Sequence, residues 1–385
     1  MIAVVGGGLI GACIAFELHQ AGEDVLVFDA DLPGAAWRAG AGLLCPSGEK
    51  LDGTPLEADA NESLRLWPDF ARRLEASSGQ SIGFREGLFR VAFDEEEARV
   101  LNAESDGEAV VLNGNENGTR VAGAEASGEA PVVNADSHAK VKAFPHLSAA
   151  RFHASEGRVH PPSVRNAALH GLPIQRARVE RIEPTEKGVV LQTDGEAIEA
   201  RIAVLACGAW SDRFGLPVRA VQGQALLLDA PPDLPALYGP PRIGSSQYAL
   251  GRPDGLYVGA TIRDTGAHET SPDADAACSL RATARRLLGD AANAPQLQHL
   301  VGFRPTTPDG LPLVGRHPTL ANVLVATGHS RHGVLLAPLT ARRVLQHVRE
   351  LLGASSLRVE RESETRPVQK VEQQNQTRLM QEVGR

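Results

Sequence analysis

Ile2-Ala3-Val4-Val5-Gly6-Gly7-Gly8-Leu9-Ile10-Gly11 opens the chain, and the reading of this stretch decides the fold. Its first four residues are apolar and rich in β-branched side chains, as in a buried strand. Glycines follow at positions 6, 8 and 11, then a helical pattern from Ala12 to Ala21 that stops at Gly22. A second apolar run, Val25-Leu26-Val27-Phe28, delivers Asp29. Strand, glycine-rich turn, helix, strand and acid in that order make the βαβ unit that holds the ADP half of a dinucleotide. Gly6 permits the tight turn, Gly8 leaves room for a pyrophosphate, and Gly11 lets helix and strand pack closely. The helix start offers unpaired N–H groups and a partial positive charge to phosphate. Asp29 is placed to accept hydrogen bonds from the adenosine ribose hydroxyls. This unit fits NAD and FAD equally.

Working outward, 385 residues suit two intertwined domains better than one small core. A hydrophobic content of 42% and a charged content of 22% are ordinary for a globular enzyme. The net charge of −8 argues against a general nucleic-acid binder. No apolar run approaches the roughly 20 residues of a membrane helix. The N-terminus enters its first strand without a basic leader, so no signal peptide is expected. Cys13, Cys45, Cys207 and Cys278 lie far apart and form neither a zinc pattern nor a disulfide framework. A reducing, cytoplasmic setting is expected.

Beyond Asp29 the small residues Ala39-Gly40-Ala41-Gly42 lead to Leu43-Leu44, a stretch against which something flat can lie. A helix is expected over Ser63–Ser77, with Leu64, Leu66, Trp67, Phe70 and Leu74 on its apolar side. Strands resume near Gly87–Val91. Residues 104–137 read as a weakly structured excursion with one short strand, Ala109–Leu112. A helix near Val164–Leu169 precedes strands at Ala177–Ile182 and Gly188–Thr193. Ala200–Ala206 is nearly all apolar, as in a buried parallel strand, so strand material returns to the nucleotide sheet late in the chain. Val221–Leu228 and Leu256–Thr261 suit an antiparallel sheet, and Ala276–Leu288 reads as a helix. Val323–Thr327 is another buried strand, followed by a helix that Pro338 either starts or kinks. The charged, Gln-rich stretch after about Ser355 reads as a disordered tail.

With these segments placed, the chain resembles the D-amino acid oxidase superfamily of FAD enzymes, within it the bacterial glycine oxidase branch that serves thiamine biosynthesis. The resemblance rests on the opening glycines, Ala39–Leu44, Ala206-Cys207-Gly208-Ala209-Trp210-Ser211, Tyr248–Arg252, Gly302-Phe303-Arg304-Pro305 through Gly310, and Ala326 through Pro338. These motifs run in family order over residues 1–350. Residues 104–137 carry no pattern that aligns, and His332 stands where the family more often has Asn. The resemblance implies an α/β chain. A Rossmann-like FAD domain would comprise 1–82, 150–218 and 302–353. A second, antiparallel-sheet α+β substrate domain would comprise 83–149 and 219–301, and 354–385 would form the tail.

It also implies a site. FAD would lie against Gly6, Gly8, Leu9, Ile10, Gly11, Asp29, Ala41, Gly42, Leu43, Gly208, Trp210, Gly328, His329, Arg331, His332, Gly333 and Val334. Arg304 would hold a substrate carboxylate, which a guanidinium meets through two parallel hydrogen bonds. Tyr248 would add a hydroxyl donor, and Arg331 would be a second arginine at the substrate mouth. The expected partners are a small amino-acid or amine substrate and O2, with a homo-oligomer left open. The expected reaction is oxidative deamination of glycine or a small D-amino acid. Its rivals are a dehydrogenase passing electrons to a quinone or carrier, and a flavoprotein that binds without turnover. Gly328-His329-Ser330-Arg331-His332 lacks the second glycine of a nucleophile elbow. His329 and His332 have no third metal ligand nearby. Cys45 reads as a small buried thiol more readily than as a flavin attachment point.

Overall fold

The computed structural model describes residues 1–104, 108–110, 144, 146–240, 245–265 and 268–353. Most of the 104–137 excursion and the tail from 354 lie outside the described residues. Three strands stand side by side and parallel at the centre: Ile202–Leu205, Ile2–Val5 and Val25–Phe28. Val323–Thr327 joins them in parallel beside Ile202–Leu205, and Ile174–Gln175 beside Val25–Phe28. Leu313–Arg316 closes one edge antiparallel, making six strands in the order 313–316, 323–327, 202–205, 2–5, 25–28, 174–175. The late apolar runs therefore do return to the nucleotide sheet.

Both faces of this sheet are covered, which is why its strands read as unbroken apolar runs. Alternate residues point to opposite faces. Ile2, Val4, Val25, Val27, Ile202, Val204, Leu324 and Ala326 pack against helical residues such as Ala12, Phe16, Phe70, Ala341 and Val344. Ala3, Val5, Phe28, Ala203, Leu205, Val323 and Val325 pack instead against Val179, Ile182, Val189 and Leu191. Those four belong to a small antiparallel sheet of Ala197–Ala200, Gly188–Thr193 and Val179–Thr185. Helices thus cover one face and strands the other.

A nine-stranded sheet forms the second body. Its order is 296–306, 219–228, 255–261, 245–252, 237–238, 85–92, 149–158 and 43–44, with 108–110 also on 149–158. It is antiparallel except where Leu237–Tyr238 runs parallel to Phe89–Arg90. The helix Ala274–Leu288 packs Leu280, Ala284, Leu287 and Leu288 onto Phe89, Leu226, Ala249 and Val258. Residues 150–158 and 302–306, grouped by sequence with the FAD segments, hydrogen-bond into this sheet.

Helix bounds shift from those expected: Ala12–Ala21 is Leu9–Gln20, Val164–Leu169 is Pro161–Ala168 and Ala276–Leu288 is Ala274–Leu288, and two further helices differ more. The one expected from Ser63 starts at Glu57 and runs to Ser78, with Pro68 inside it. The last helix spans 333–353, so Pro338 is interior to it and does not start it. The short strand expected over Ala109–Leu112 is Glu108–Val110 within the described residues. Among the described residues no helix is long and apolar enough to cross a membrane.

Candidate active site

A long cavity runs from the Gly6–Ile10 turn, past the 35–43 segment, to the sheet residues Tyr248 and Arg304. At the first end, Gly6 has φ +107°, and a Cβ there would sit 2.4 Å from the Ala206 carbonyl oxygen. A Cβ on Gly11 would sit 1.9 Å from the Gly6 carbonyl oxygen. These two glycines are required by the protein's own packing. Gly8 is different: a Cβ there would meet nothing nearer than Trp37 at 3.6 Å. Gly8 lines the cavity together with Leu9 and Ile10. The helix Leu9–Gln20 has no side-chain cap and no acid in its first turn, so its positive end is left for an anion.

Asp29 lies on the same wall. One carboxylate oxygen accepts from Arg165 Nη2 at 2.7 Å and the other from the Asp31 N–H at 3.1 Å. A carboxylate has about four acceptor sites, so hydroxyl donors can still be taken. Arg165 also donates to the Gly7 carbonyl at 2.5 Å. The Trp37 ring lies close to both the Arg38 and the Arg165 guanidinium groups.

The middle of the cavity is built from backbone. Gly42 has φ +89°, and a Cβ there would sit 1.9 Å from the Val159 carbonyl oxygen. Two sheet residues hold this segment from the far side. Tyr257 donates its hydroxyl to the Ala39 carbonyl at 2.7 Å, and Arg252 donates to the Gly40 carbonyl at 2.8 Å. Ala41, Gly42, Leu43, Gly208 and Trp210 all line the cavity. Trp210 stacks on His268 with ring centres 5.1 Å apart.

At the far end stand Tyr248, Arg304, Arg331, His332 and Glu49. Arg304 projects from the strand Gln296–Thr306 and donates to the carbonyls of Thr261 at 3.1 Å and Gln222 at 3.3 Å. Among the described residues it has no ion-pair partner. Tyr248 is 8% exposed and lies stacked near Tyr257. Burial pushes its phenol up, with Arg304 opposing, so it stays an O–H donor at neutral pH. The helix over 333–353 begins at the cavity wall, where Gly333 and Val334 line it. Gly328, with φ +77°, shapes the turn before it and does not line the cavity. His329 bonds Thr340 Oγ1 at 2.9 Å, and burial lowers its pKa to about 3. His332 is lowered to about 4, first by burial and then by Arg331. Both rings are neutral at pH 7. Cys45 lies on the cavity wall but donates its S–H to Glu156 at 3.1 Å, and burial pushes the thiol well up, so it is no nucleophile.

A sequence family described as FAD dependent oxidoreductase matches residues 1–346. The chain belongs to this family. The oxidoreductase is 32% identical over 359 residues to a glycine oxidase of Geobacillus kaustophilus, spanning 88% of this chain and 90% of that one. It is 31% identical to a glycine oxidase of Pseudomonas putida, spanning 88% and 91%. Among solved structures, the crystal structure of glycine oxidase from Geobacillus kaustophilus superposes with a TM-score of 0.74 at 29% identity, covering 91% of this chain and 94% of that one. The α/β architecture with its added antiparallel sheets is that of this neighbour.

The oxidoreductase is FAD-dependent, and its residues fit the cofactor. An uncapped helix start beside a glycine with no packing reason of its own suits a pyrophosphate. The small-residue wall at 39–42 suits a flat ring. Of the residues expected at the site, all but Gly11 and Gly328 line one cavity. Sequence reasoning missed Glu49, Trp37, Arg165, Tyr257 and Gly223. A Cβ on Gly223 would sit 2.3 Å from Arg304 Nη1, so this glycine gives the guanidinium its place. The signal was there: a glycine inside an apolar strand marks close approach. Glu49 carried no signal, because only the fold brings it to Arg331.

Proposed function

We propose that this oxidoreductase oxidises glycine or another small amino acid at its C–N bond. The product is an imino acid, which water converts to a 2-oxo acid and ammonia. The observation that carries this reading is Arg304, a cation on the cavity wall beside the Tyr248 hydroxyl with no acidic partner among the described residues. FAD, when bound, would supply the hydride acceptor, with O2 as the final electron acceptor and hydrogen peroxide as its product.

The chain's own residues do the rest. Arg304 takes the substrate carboxylate through its two-pronged face and Tyr248 adds a hydroxyl donor, which fixes the α-carbon in one orientation. The start of the helix over 333–353 offers N–H groups and a positive dipole end to negative charge developing on the ring. Tyr257 and Arg252 hold the Ala39–Gly40 backbone, so the small-residue wall keeps its distance from the substrate. Neutral His332 keeps a further cation out of the site. The glycine oxidase relatives support the choice of a small amino acid.

The test is an anaerobic titration of the holoenzyme with glycine, N-methylglycine, D-alanine and D-proline, followed by admission of air. Bleaching of the flavin absorbance and stoichiometric peroxide are expected. Bleaching without peroxide makes the enzyme a dehydrogenase, and no bleaching with any of the four overturns the reaction.

A further inference from the structure

Among the described residues, three charged side chains stand at the substrate end of the cavity: Glu49, Arg304 and Arg331. Arg304 donates to two backbone carbonyls, lies against the Tyr248 hydroxyl, and among the described residues has no ion-pair partner. Arg331 is engaged. Its Nε is in an ion pair with Glu49 Oε2, and its Nη2 donates to the Glu49 backbone carbonyl at 3.3 Å. Glu49 is held in turn by the Tyr238 hydroxyl, which donates to Oε1 at 3.3 Å. The carboxylate is largely buried, at 12% exposure, while Arg331 reaches further into solvent at 39%. Around Glu49 stand Arg331, Arg304, Tyr238, Tyr248, Cys45 and His332.

The charge at this end can therefore be counted over the described residues. His332 is neutral near pH 7, and Tyr248 and Cys45 keep their protons. Burial raises the Glu49 carboxyl while Arg331, Tyr238 and Arg304 oppose that, and the ion pair sets its carboxylate against Arg331, so Arg304 remains. An amino acid that enters with its amine neutral carries one negative charge and matches this count. A dicarboxylate carries two. Its second carboxylate would need Arg331, which Glu49 already occupies, and it would meet the Glu49 carboxylate itself.

We propose that Glu49 is a specificity-determining residue: by pairing with Arg331 it leaves the substrate pocket one net positive charge, that of Arg304, and so selects amino acids with a single carboxylate over those with two. This rests on the reading of Arg304 as the carboxylate anchor. Like charge set against a wrong ligand is an ordinary source of discrimination.

The experiment measures binding, without turnover. Acetate, malonate and succinate are titrated into the holoenzyme, and dissociation constants are read from the shift in flavin absorbance. In the wild type, acetate binds more tightly than either dicarboxylate. Glu49→Gln keeps the shape of the side chain and frees Arg331. It is expected to move the dicarboxylate-to-acetate affinity ratio by about tenfold or more toward the dicarboxylates, since a freed guanidinium makes charge-assisted bonds. Glu49→Gln/Arg331→Met should return that ratio toward its starting value. A ratio that Glu49→Gln leaves unmoved overturns the inference. If Glu49→Gln does not retain flavin, Arg331→Met decides: the pocket charge falls to zero, so acetate should bind about tenfold or more weakly. An unchanged acetate affinity overturns the inference. Wild-type holoenzyme that shows no response to acetate overturns the Arg304 anchor and this inference with it. Protein that binds acetate with these ratios but oxidises no amino acid upholds the inference and refutes the proposed reaction.

Discussion

At the scale of the residue, the site turns on one arginine and the glycine opposite it. Arg304 lies across the strand Arg219–Leu228, bonded to the Gln222 carbonyl, and Gly223 has no side chain to displace it. Removing one member of a desolvated charge pair costs about 2–5 kcal/mol. Arg304→Met should therefore raise KM for amino acids by at least about an order of magnitude while FAD stays bound. Arg304→Lys should recover only part, since an ammonium lacks the forked geometry. Steady-state kinetics with glycine checks both, and an unchanged KM in Arg304→Met would sink the assignment. Gly223→Ala offers an independent route to the same atoms. Its methyl would sit 2.3 to 2.5 Å from Nη1, Nη2 and Cζ of Arg304. A guanidinium can swing aside more easily than backbone can move, so KM should rise several-fold with little change in melting temperature. Unchanged KM with retained fold would show that Arg304 does not need that position. Arg304 and Tyr248 were legible because each sits in a motif. Gly223 and Glu49 were not assigned from sequence, because their meaning depends on partners 81 and 282 residues away in the chain, brought near only by the fold.

At the scale of the element, the helix over 333–353 shows why local pattern alone left Pro338 ambiguous. A proline at an interior position has no N–H for the carbonyl four residues earlier and crowds it. The sequence offered two outcomes, a start or a kink. The structure continues the helix through Pro338, and a second helix bonds the turn around it. From Glu57–Ser78, Ser63 donates its hydroxyl to the Leu335 carbonyl at 2.7 Å and accepts from the Leu339 N–H at 3.4 Å. Trp67 Nε1 donates to the same carbonyl at 3.0 Å. Ser63 and Trp67 are both fully buried. The apolar spacing announced Trp67, Phe70 and Leu74 as a core face, but it could not announce that a serine and an indole N–H would repair a neighbouring helix. Ser63→Ala takes the side-chain acceptor from the Leu339 N–H and one of two side-chain donors from the Leu335 carbonyl, which costs about 1–3 kcal/mol. Denaturant unfolding should show that loss. In a Pro338→Ala background the helix regains its N–H, and the loss from Ser63→Ala should shrink. Equal losses in the two backgrounds would show that Ser63 and Pro338 act independently.

At the scale of the whole molecule, the parallel sheet was the most legible part, since burial on both faces writes an unbroken apolar run that needs no partner to be recognised. What covers each face was less legible: strands such as Val179–Thr185 alternate like any half-buried strand, and nothing local says that Val179 and Ile182 lie on the nucleotide sheet. The junction between sheet, cavity and last helix carries a consequence for pH. His329 and His332 sit there as neutral rings, lowered by burial to about 3 and about 4. Unfolded, each would titrate near 6.5. Below that value the unfolded chain binds protons that the folded chain does not, so stability rises with pH across this window. Their contribution is complete above about pH 6.5 and is lost as pH falls toward 4 and then 3, at up to about 1.4 kcal/mol per pH unit for each ring. Glu49 and Glu156 work in the opposite direction, because burial raises them above their ordinary 4.5 and the folded chain keeps protons that the unfolded chain releases. The histidine part is isolated by difference. Urea unfolding of the holoenzyme from pH 8 to 5, wild type beside His329→Gln, should give two curves that converge on acidification, since glutamine has no proton to gain. Curves that stay parallel through pH 6.5 to 5 would mean that His329 is charged in the folded protein.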